Sequence, residues 1–187
     1  MRYILASKSP RRRELLGKIL PGFEIIACEV DETLPAMVSP HEGAELLAVR
    51  KGAALLPDYS DALIISSDTL VELDGTPLGK PCDENEARRM LRALSGRAHS
   101  VHTGVAVHFL GKCFSGCAVS RVYFRELTDS EINAYIKTGE PMDKAGAYGI
   151  QGLGGALVSH YEGDFDTIVG LSLALTKRLI SEALGND

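Results

Sequence analysis

Apolar positions along this chain fall into two rhythms, short runs typical of strands and longer stretches at the helical period. Arg2 to Ala6 predicts a short buried strand. Pro10 then opens a helix, because proline is tolerated at the first helical position, and Leu15, Leu16 and Ile19 give that helix one apolar face. Phe23 to Val30 predicts a second strand. Ser39-Pro40-His41-Glu42 has the pattern of a capping box, and the helix it opens carries Ala44, Leu47, Ala48 and Lys51 before ending near Pro57. Ala62 to Leu73 is the strongest strand signal, and Asp74-Gly75 follows it as a hairpin-type turn. Asp83-Glu84-Asn85-Glu86 opens a further capped helix that runs to Ser95-Gly96. Ala98 to Leu110 and Lys112 to Phe124 alternate and meet at Gly111, which predicts a long antiparallel hairpin. Thr128 with Glu131 caps a helix that Gly139 ends. Residues 145–155 are glycine-rich and irregular, and a strand near Leu157 to Tyr161 leads to a closing helix from about Leu171.

Parallel-type crossovers and antiparallel hairpins therefore occur together, which predicts an α/β protein with a long, twisted, mixed sheet. No linker is long or polar enough to separate domains, so residues 1–187 read as a single domain with room for two lobes around a cleft. The formal net charge of −5 gives no general case for binding nucleic acid or a membrane. Positive charge is instead concentrated at the N-terminus, in Arg2, Lys8, Arg11, Arg12 and Arg13. No apolar run suits a membrane span, and Ile4-Leu5-Ala6 is too short for a signal peptide. Cys28, Cys82, Cys113 and Cys117 form no Cys-x-x-Cys pair and read as reduced and mostly buried, in a cytoplasmic protein.

Polar residues interrupt the apolar pattern at a few places that suit chemistry. In Leu5-Ala6-Ser7-Lys8-Ser9-Pro10-Arg11-Arg12 a strand ends and a helix begins. Free N–H groups, hydroxyls and arginines there suit a phosphate cradle and a solvated basic first turn equally well; cations oppose the helix dipole at that end, a mild pointer to an anion ligand. Asp31-Glu32 follows a strand, with Asp31 read as ordinary loop acidity. In Ser66-Ser67-Asp68-Thr69 a carboxylate sits inside an apolar strand, so Asp68 must be paired, metal-bound or at a strand mouth. Gly79-Lys80-Pro81 is not a Walker loop, and by spacing alone Lys80 and Lys51 read as solvated lysines. From Glu140 to Gly152, glycines and alanines surround Tyr148 and Gln151, which permits close backbone approach to a flat ligand. Tyr148, Ile150 and Leu153 argue against a freely exposed loop there. The five histidines have no metal-ligand spacing and read as structural.

Taken in order, these segments resemble the Maf family. Its opening signature is matched by Leu5-Ala6-Ser7-x-Ser9-Pro10-Arg11-Arg12-x-Glu14-Leu15-Leu16. Glu29-Val30-Asp31-Glu32, Ser67-Asp68-Thr69, Gly79-Lys80-Pro81, Leu94-Ser95-Gly96, the run from Glu140 to Gly152, Gly163-Asp164 and Val169-Gly170-Leu171 follow in sequence. The resemblance implies an elongated α/β fold with a deep cleft, similar to inosine triphosphate pyrophosphatases. It implies hydrolysis of a nucleoside triphosphate to the monophosphate and pyrophosphate, a house-cleaning activity on the nucleotide pool, with magnesium or manganese. It also allows a homodimer.

Carried over by motif, Ser7, Arg11, Arg12, Lys51 and Lys80 bind phosphate, and Lys80 joins Glu32 and Asp68 in the catalytic set. Glu32 and Asp68 are the acidic pair that would hold the metal, with Asp68 as proton acceptor; whether Asp68 is base or ligand stays open. Arg11, Thr69 and Gln151 match the specificity positions of the branch that acts on dTTP and UTP rather than the branch that acts on 7-methyl-GTP. Two positions depart from that branch. Ser66-Ser67 stands where Gly-Ala is commoner, which predicts a more polar pocket near Asp68, and Ser172 stands where proline is usual. A nucleotide-binding regulator of cell division without turnover and a protein-binding scaffold are the competing classes; retention of the catalytic positions favours the enzyme.

Overall fold

The computed structural model describes residues 1–185. The elements follow as β1 (Tyr3–Ala6), α1 (Pro10–Gly17), β2 (Glu24–Ile25), α2 (Pro40–Ala53), β3 (Leu63–Leu73), β4 (Thr76–Leu78), α3 (Glu84–Leu94), β5 (Ala98–Phe109), β6 (Lys112–Phe124), α4 (Asp129–Ile136), β7 (Val158–Glu162), α5 (Phe165–Val169) and α6 (Leu173–Leu184). Between α4 and β7 the chain forms short 3₁₀ turns at Glu140–Asp143, Ala145–Ala147 and Leu153–Leu157. The strands hydrogen-bond in the order β2-β1-β3-β5-β6-β7, with β4 on β3, so the sheet is mixed as expected. The chain forms two compact units, one of residues 1–69, 103–118 and 170 onward, the other of residues 70–102 and 119–169. Strands β3, β5 and β6 contribute residues to both.

In the first unit β1 is flanked on both sides by parallel partners, Ile4 opposite Glu24 on β2 and Ala6 opposite Ser66 on β3. A central parallel strand has both faces covered, which is why Ile4, Leu5 and Ala6 form an unbroken apolar run. Leu15 and Leu16 bury one side of α1, and Ser9 caps its start by accepting from the Arg12 N–H. The capping box at Ser39 and Glu42 forms as expected. Gly104 on β5 lets α2 come close, because a Cβ there would lie 2.1 Å from the Ala44 carbonyl oxygen. The strand expected over Phe23 to Val30 shrinks to Glu24–Ile25. Ile25 is 44% exposed at the sheet edge, so apolar composition there did not find a second covered face.

In the second unit Ala87, Leu91 and Leu94 repeat at helical spacing along α3 and enter a core with Val71, Val101, Phe124, Ile132 and Tyr148. Thr128 and Glu131 close the second capping box, on α4. Asp74 and Gly75 turn β3 into β4, both at positive φ. The short helix α5 was not signalled by the hydrophobic pattern.

The cysteines are free but not mostly buried: Cys82 and Cys113 are exposed, and Cys28 and Cys117 are half-buried. Cys82 precedes the α3 cap and Cys113 opens β6, both at element ends where the chain meets solvent. Among the described residues no helix is long and apolar enough to cross a membrane.

Candidate active site

The parallel pairing of β1 with β3 sets the frame of the site. Both strands run the same way, and Ala6 faces Ser66 in register. Ser7 and Asp68 therefore follow at the same, carboxyl-terminal end of the parallel pair, the end where open α/β sheets bind ligands.

Asp68 is buried, as its place in an apolar strand requires, and its partner is Lys51 of α2. The Lys51 ammonium donates to Asp68 Oδ1 and lies 2.7 Å from Glu32 Oε1. The side chain of Asp68 is 11% exposed and that of Glu32 is 59% exposed, so the lysine joins a closed carboxylate to an open one. Leaving a buried carboxylate of this kind unpaired costs about 3–5 kcal/mol, and Lys51 removes that cost. Lys51 is thus not the solvated lysine that spacing alone suggested. Two carboxylates already converge on one positive centre. Their hard oxygens are the donor type that magnesium and manganese take, although the Lys51 ammonium stands where they converge. Asp31, by contrast, turns its Oδ1 to the Thr33 N–H in a local loop turn.

The N-terminal cations separate into distinct kinds. Arg2 forms a two-pronged pair with Glu24, and Lys8 pairs with Glu29 at 2.8 Å, both on the surface. Arg12 is half-buried; its Nε donates to the Gly170 carbonyl at 2.9 Å and its Nη2 to Thr69 Oγ1 at 3.3 Å. Burial lowers the Arg12 pKa while Asp68 raises it, Arg11 lowers it and Glu32 raises it, so these four charges share one field. Among the described residues the side chains of Arg11 and Arg13 make no hydrogen bond or ion pair. Arg11 is half-buried and Arg13 is exposed. Ser7 Oγ accepts from the Ser9 N–H at 3.1 Å, which leaves the Ser7 hydroxyl proton free to donate.

Thr69 stands beside this field, with its hydroxyl 3.0 Å from that of Thr103 on β5. The Gly170 carbonyl accepts from Arg12 Nε and also from Ser67 Oγ at 3.0 Å. Gly170 has φ +122°, a conformation that favours glycine. Sequence alone assigns no role to Gly170 or Thr103; the Val169-Gly170-Leu171 match is the signal it offers.

Ser66 and Ser67 do not make the pocket near Asp68 more polar. Ser66 Oγ donates to the Ala48 carbonyl at 2.7 Å, Ser67 Oγ donates to Gly170, and both residues are fully buried. Their hydroxyls satisfy backbone carbonyls and add no free polar surface. Ser172, where proline was expected, has φ −67°, within proline's range, and caps α6 by accepting from the Leu175 N–H.

Lys80 and Gln151 belong to the second unit, and both are exposed. The turn before Lys80 is fixed because the Gly79 carbonyl accepts from the Gly146 N–H at 3.0 Å. Tyr148 is buried and Ile150 is half-buried, as expected for this loop, but Leu153 is 61% exposed. For three of the five histidines the structural reading holds in particulars. His99 meets the Tyr148 hydroxyl at 2.8 Å, His108 meets the Val49 carbonyl, and His160 stacks on Tyr123. Burial pulls the His99 pKa down to about 4, so the ring stays neutral at ordinary pH.

Residues 2–183 match the family described as Maf-like protein. A dTTP/UTP pyrophosphatase of Bacillus velezensis is 47% identical over 181 residues, covering 97% of this chain and 96% of that protein. A dTTP/UTP pyrophosphatase of Bacillus cytotoxicus is 44% identical over 181 residues, covering 97% of this chain and 93% of that protein. Among solved structures, the Ham1 protein of Staphylococcus aureus aligns over 99% of this chain and 95% of its own, with a TM-score of 0.51 and 17% identity. A HAM1 protein from Coxiella burnetii aligns over 100% of both chains, with a TM-score of 0.53 and 15% identity. At that identity the likeness to these structures is one of fold.

Proposed function

The chain belongs to the Maf family, and from that premise we propose that it is a nucleoside triphosphate pyrophosphatase acting on dTTP and UTP. The products are the nucleoside monophosphate and pyrophosphate. The observation that carries the reading is the Lys51 ammonium held between Asp68 and Glu32, in one electrostatic field with Arg11 and Arg12. Cleavage of a phosphoanhydride gathers charge on phosphate oxygens and needs positioning and neutralisation more than covalent chemistry. Arg11, with no protein partner among the described residues, and the Ser7 hydroxyl donate to phosphate. Lys51 exchanges a carboxylate for a phosphate oxygen. Asp68 Oδ2, which holds no hydrogen bond among the described residues, accepts the proton of the attacking water. Glu32, joined by Asp68 where Asp68 is ligand rather than base, would hold a magnesium or manganese ion, which when bound polarises phosphate and lowers the pKa of water.

The direct test is a product screen across canonical and modified triphosphates, with and without each metal. Monophosphate and pyrophosphate from UTP and dTTP, abolished by a chelator, are the expected result. Orthophosphate as the product would exclude this cleavage, and binding without turnover would mark a regulator instead.

The arginines give a sharper test of the site. Arg12→Ala removes the donors to Gly170 and Thr69 and with them the phosphate contact that the motif implies for Arg12, and a hydrogen bond to a charged group is worth about 1.5–3 kcal/mol. The specificity constant for UTP should fall about tenfold or more. Arg13→Ala removes an exposed side chain and should stay within about twofold. Equal losses would mean that the cluster acts as a diffuse positive field.

A further inference from the structure

The loop that carries Gln151 is held at both ends by one pair of side chains from outside it. Tyr135, buried on α4, accepts from the Gly149 N–H at 3.1 Å and donates its own proton to Glu140 Oε1 at 2.9 Å. The direction is fixed, because a backbone N–H can only donate and the tyrosine hydroxyl then has its proton left for the carboxylate. Glu140 accepts in addition from the Leu153 N–H at 2.9 Å and the Gly154 N–H at 3.0 Å. One carboxylate and one phenol thus fasten residues 149, 153 and 154, and Gln151 lies exposed on the arch between them. The glycines of the loop follow from this arrangement. A Cβ on Gly152 would lie 2.5 Å from Glu140 Oε2, and a Cβ on Gly154 would lie 2.6 Å from the Tyr135 hydroxyl.

We infer that Tyr135 and Glu140 are positioning residues for base discrimination, a clamp that orders the arch so that the Gln151 amide meets the base in one orientation. This rests on the dTTP/UTP reading proposed above. Without the clamp an exposed, glycine-rich arch would sample many conformations, and the amide would have to be ordered anew with each substrate. Burial raises the Glu140 pKa, but the Gly154, Leu153 and Tyr135 donors outweigh it, so the carboxylate stays ionised and accepting. Burial also pushes the Tyr135 hydroxyl up, which keeps its proton in place.

The test compares Tyr135→Phe, Glu140→Gln and the control Gln151→Ala. Tyr135→Phe keeps the ring and removes one link. Glu140→Gln keeps the size but replaces one accepting oxygen with an amide donor that faces an N–H. The readouts are kcat and KM for UTP and for 7-methyl-GTP, with hydrogen exchange of the Gly149, Leu153 and Gly154 amides. In both clamp variants the ratio of specificity constants should fall about tenfold, mainly through KM for UTP, and the three amides should exchange faster. A merely structural role would lower stability and the rates for both nucleotides alike, leaving the ratio unchanged. If Gln151→Ala lowers the ratio and both clamp variants keep it within about twofold, the clamp is overturned. If Gln151→Ala itself keeps the ratio, the base-reading role fails and the clamp loses its function, however the amides exchange. If wild type turns over neither UTP nor dTTP, the substrate reading fails first.

Discussion

Asp68→Asn should lower UTP turnover by on the order of 10²-fold or more, the usual scale for loss of a general base. Asparagine fills the same volume on β3 but has no charge, and one of its terminal atoms is a donor. Toward Lys51 the variant offers at best a neutral acceptor in place of the carboxylate that now takes the ammonium. Glu32, 2.7 Å from that ammonium in the native protein, stays available to it, so the half-buried lysine is not left alone and the fold should survive. The measurement is single-turnover hydrolysis of UTP over a metal titration, with a melting curve to show that the variant is folded. A base role appears as a low rate that saturating metal does not restore. A ligand role appears as a rise in the metal concentration needed for half-maximal rate. An Asp68→Asn enzyme of near-normal rate at ordinary metal would remove Asp68 from both roles.

Gln151→Glu should lower the preference for dTTP and UTP over 7-methyl-GTP by about ten- to a hundredfold. A glutamine amide offers a donor and an acceptor with no net charge. Uracil and thymine present a ring N–H between two carbonyls, so the two edges pair without an unbalanced charge. A carboxylate in that position faces a pyrimidine carbonyl and repels it, and an unmade polar contact of this kind costs about 1–3 kcal/mol. The 7-methylguanine ring is cationic and offers mainly donors, which suits glutamate. Because Glu140 and Tyr135 fasten the arch on both sides of Gln151, the substitution changes the chemistry of the tip without releasing the loop. The ratio of specificity constants for dTTP and 7-methyl-GTP in the two proteins decides the matter. An unchanged ratio removes Gln151 from base reading, and a wild type that prefers 7-methyl-GTP overturns the assignment to the dTTP/UTP branch.

By itself the sequence determined the local architecture and the identity of the chemical residues. The caps at Ser39, Asp83 and Thr128 form where their patterns place them, because a cap is decided within a few residues along the chain. The hairpin turn at Gly111 and the fully buried run of β1 are equally local, set by turn chemistry and by unbroken apolar character. The ordered motifs from Ser7 to Gly170 were likewise legible, since they are strings of residue types.

What tertiary structure alone decided is the partner of each polar group. Lys51 read as a solvated lysine and became the link between Asp68 and Glu32. Arg12 reaches the Gly170 carbonyl 158 positions away, and the Ser66 and Ser67 hydroxyls close on carbonyls from α2 and from Gly170. Glu140 and Tyr135 carried no signal beyond a motif position and a helical apolar stripe, yet they organise the loop of Gln151. The physical reason is desolvation. A buried donor or acceptor must pair with whatever complementary group the packed chain brings to it, and that group is chosen by the fold rather than by sequence spacing.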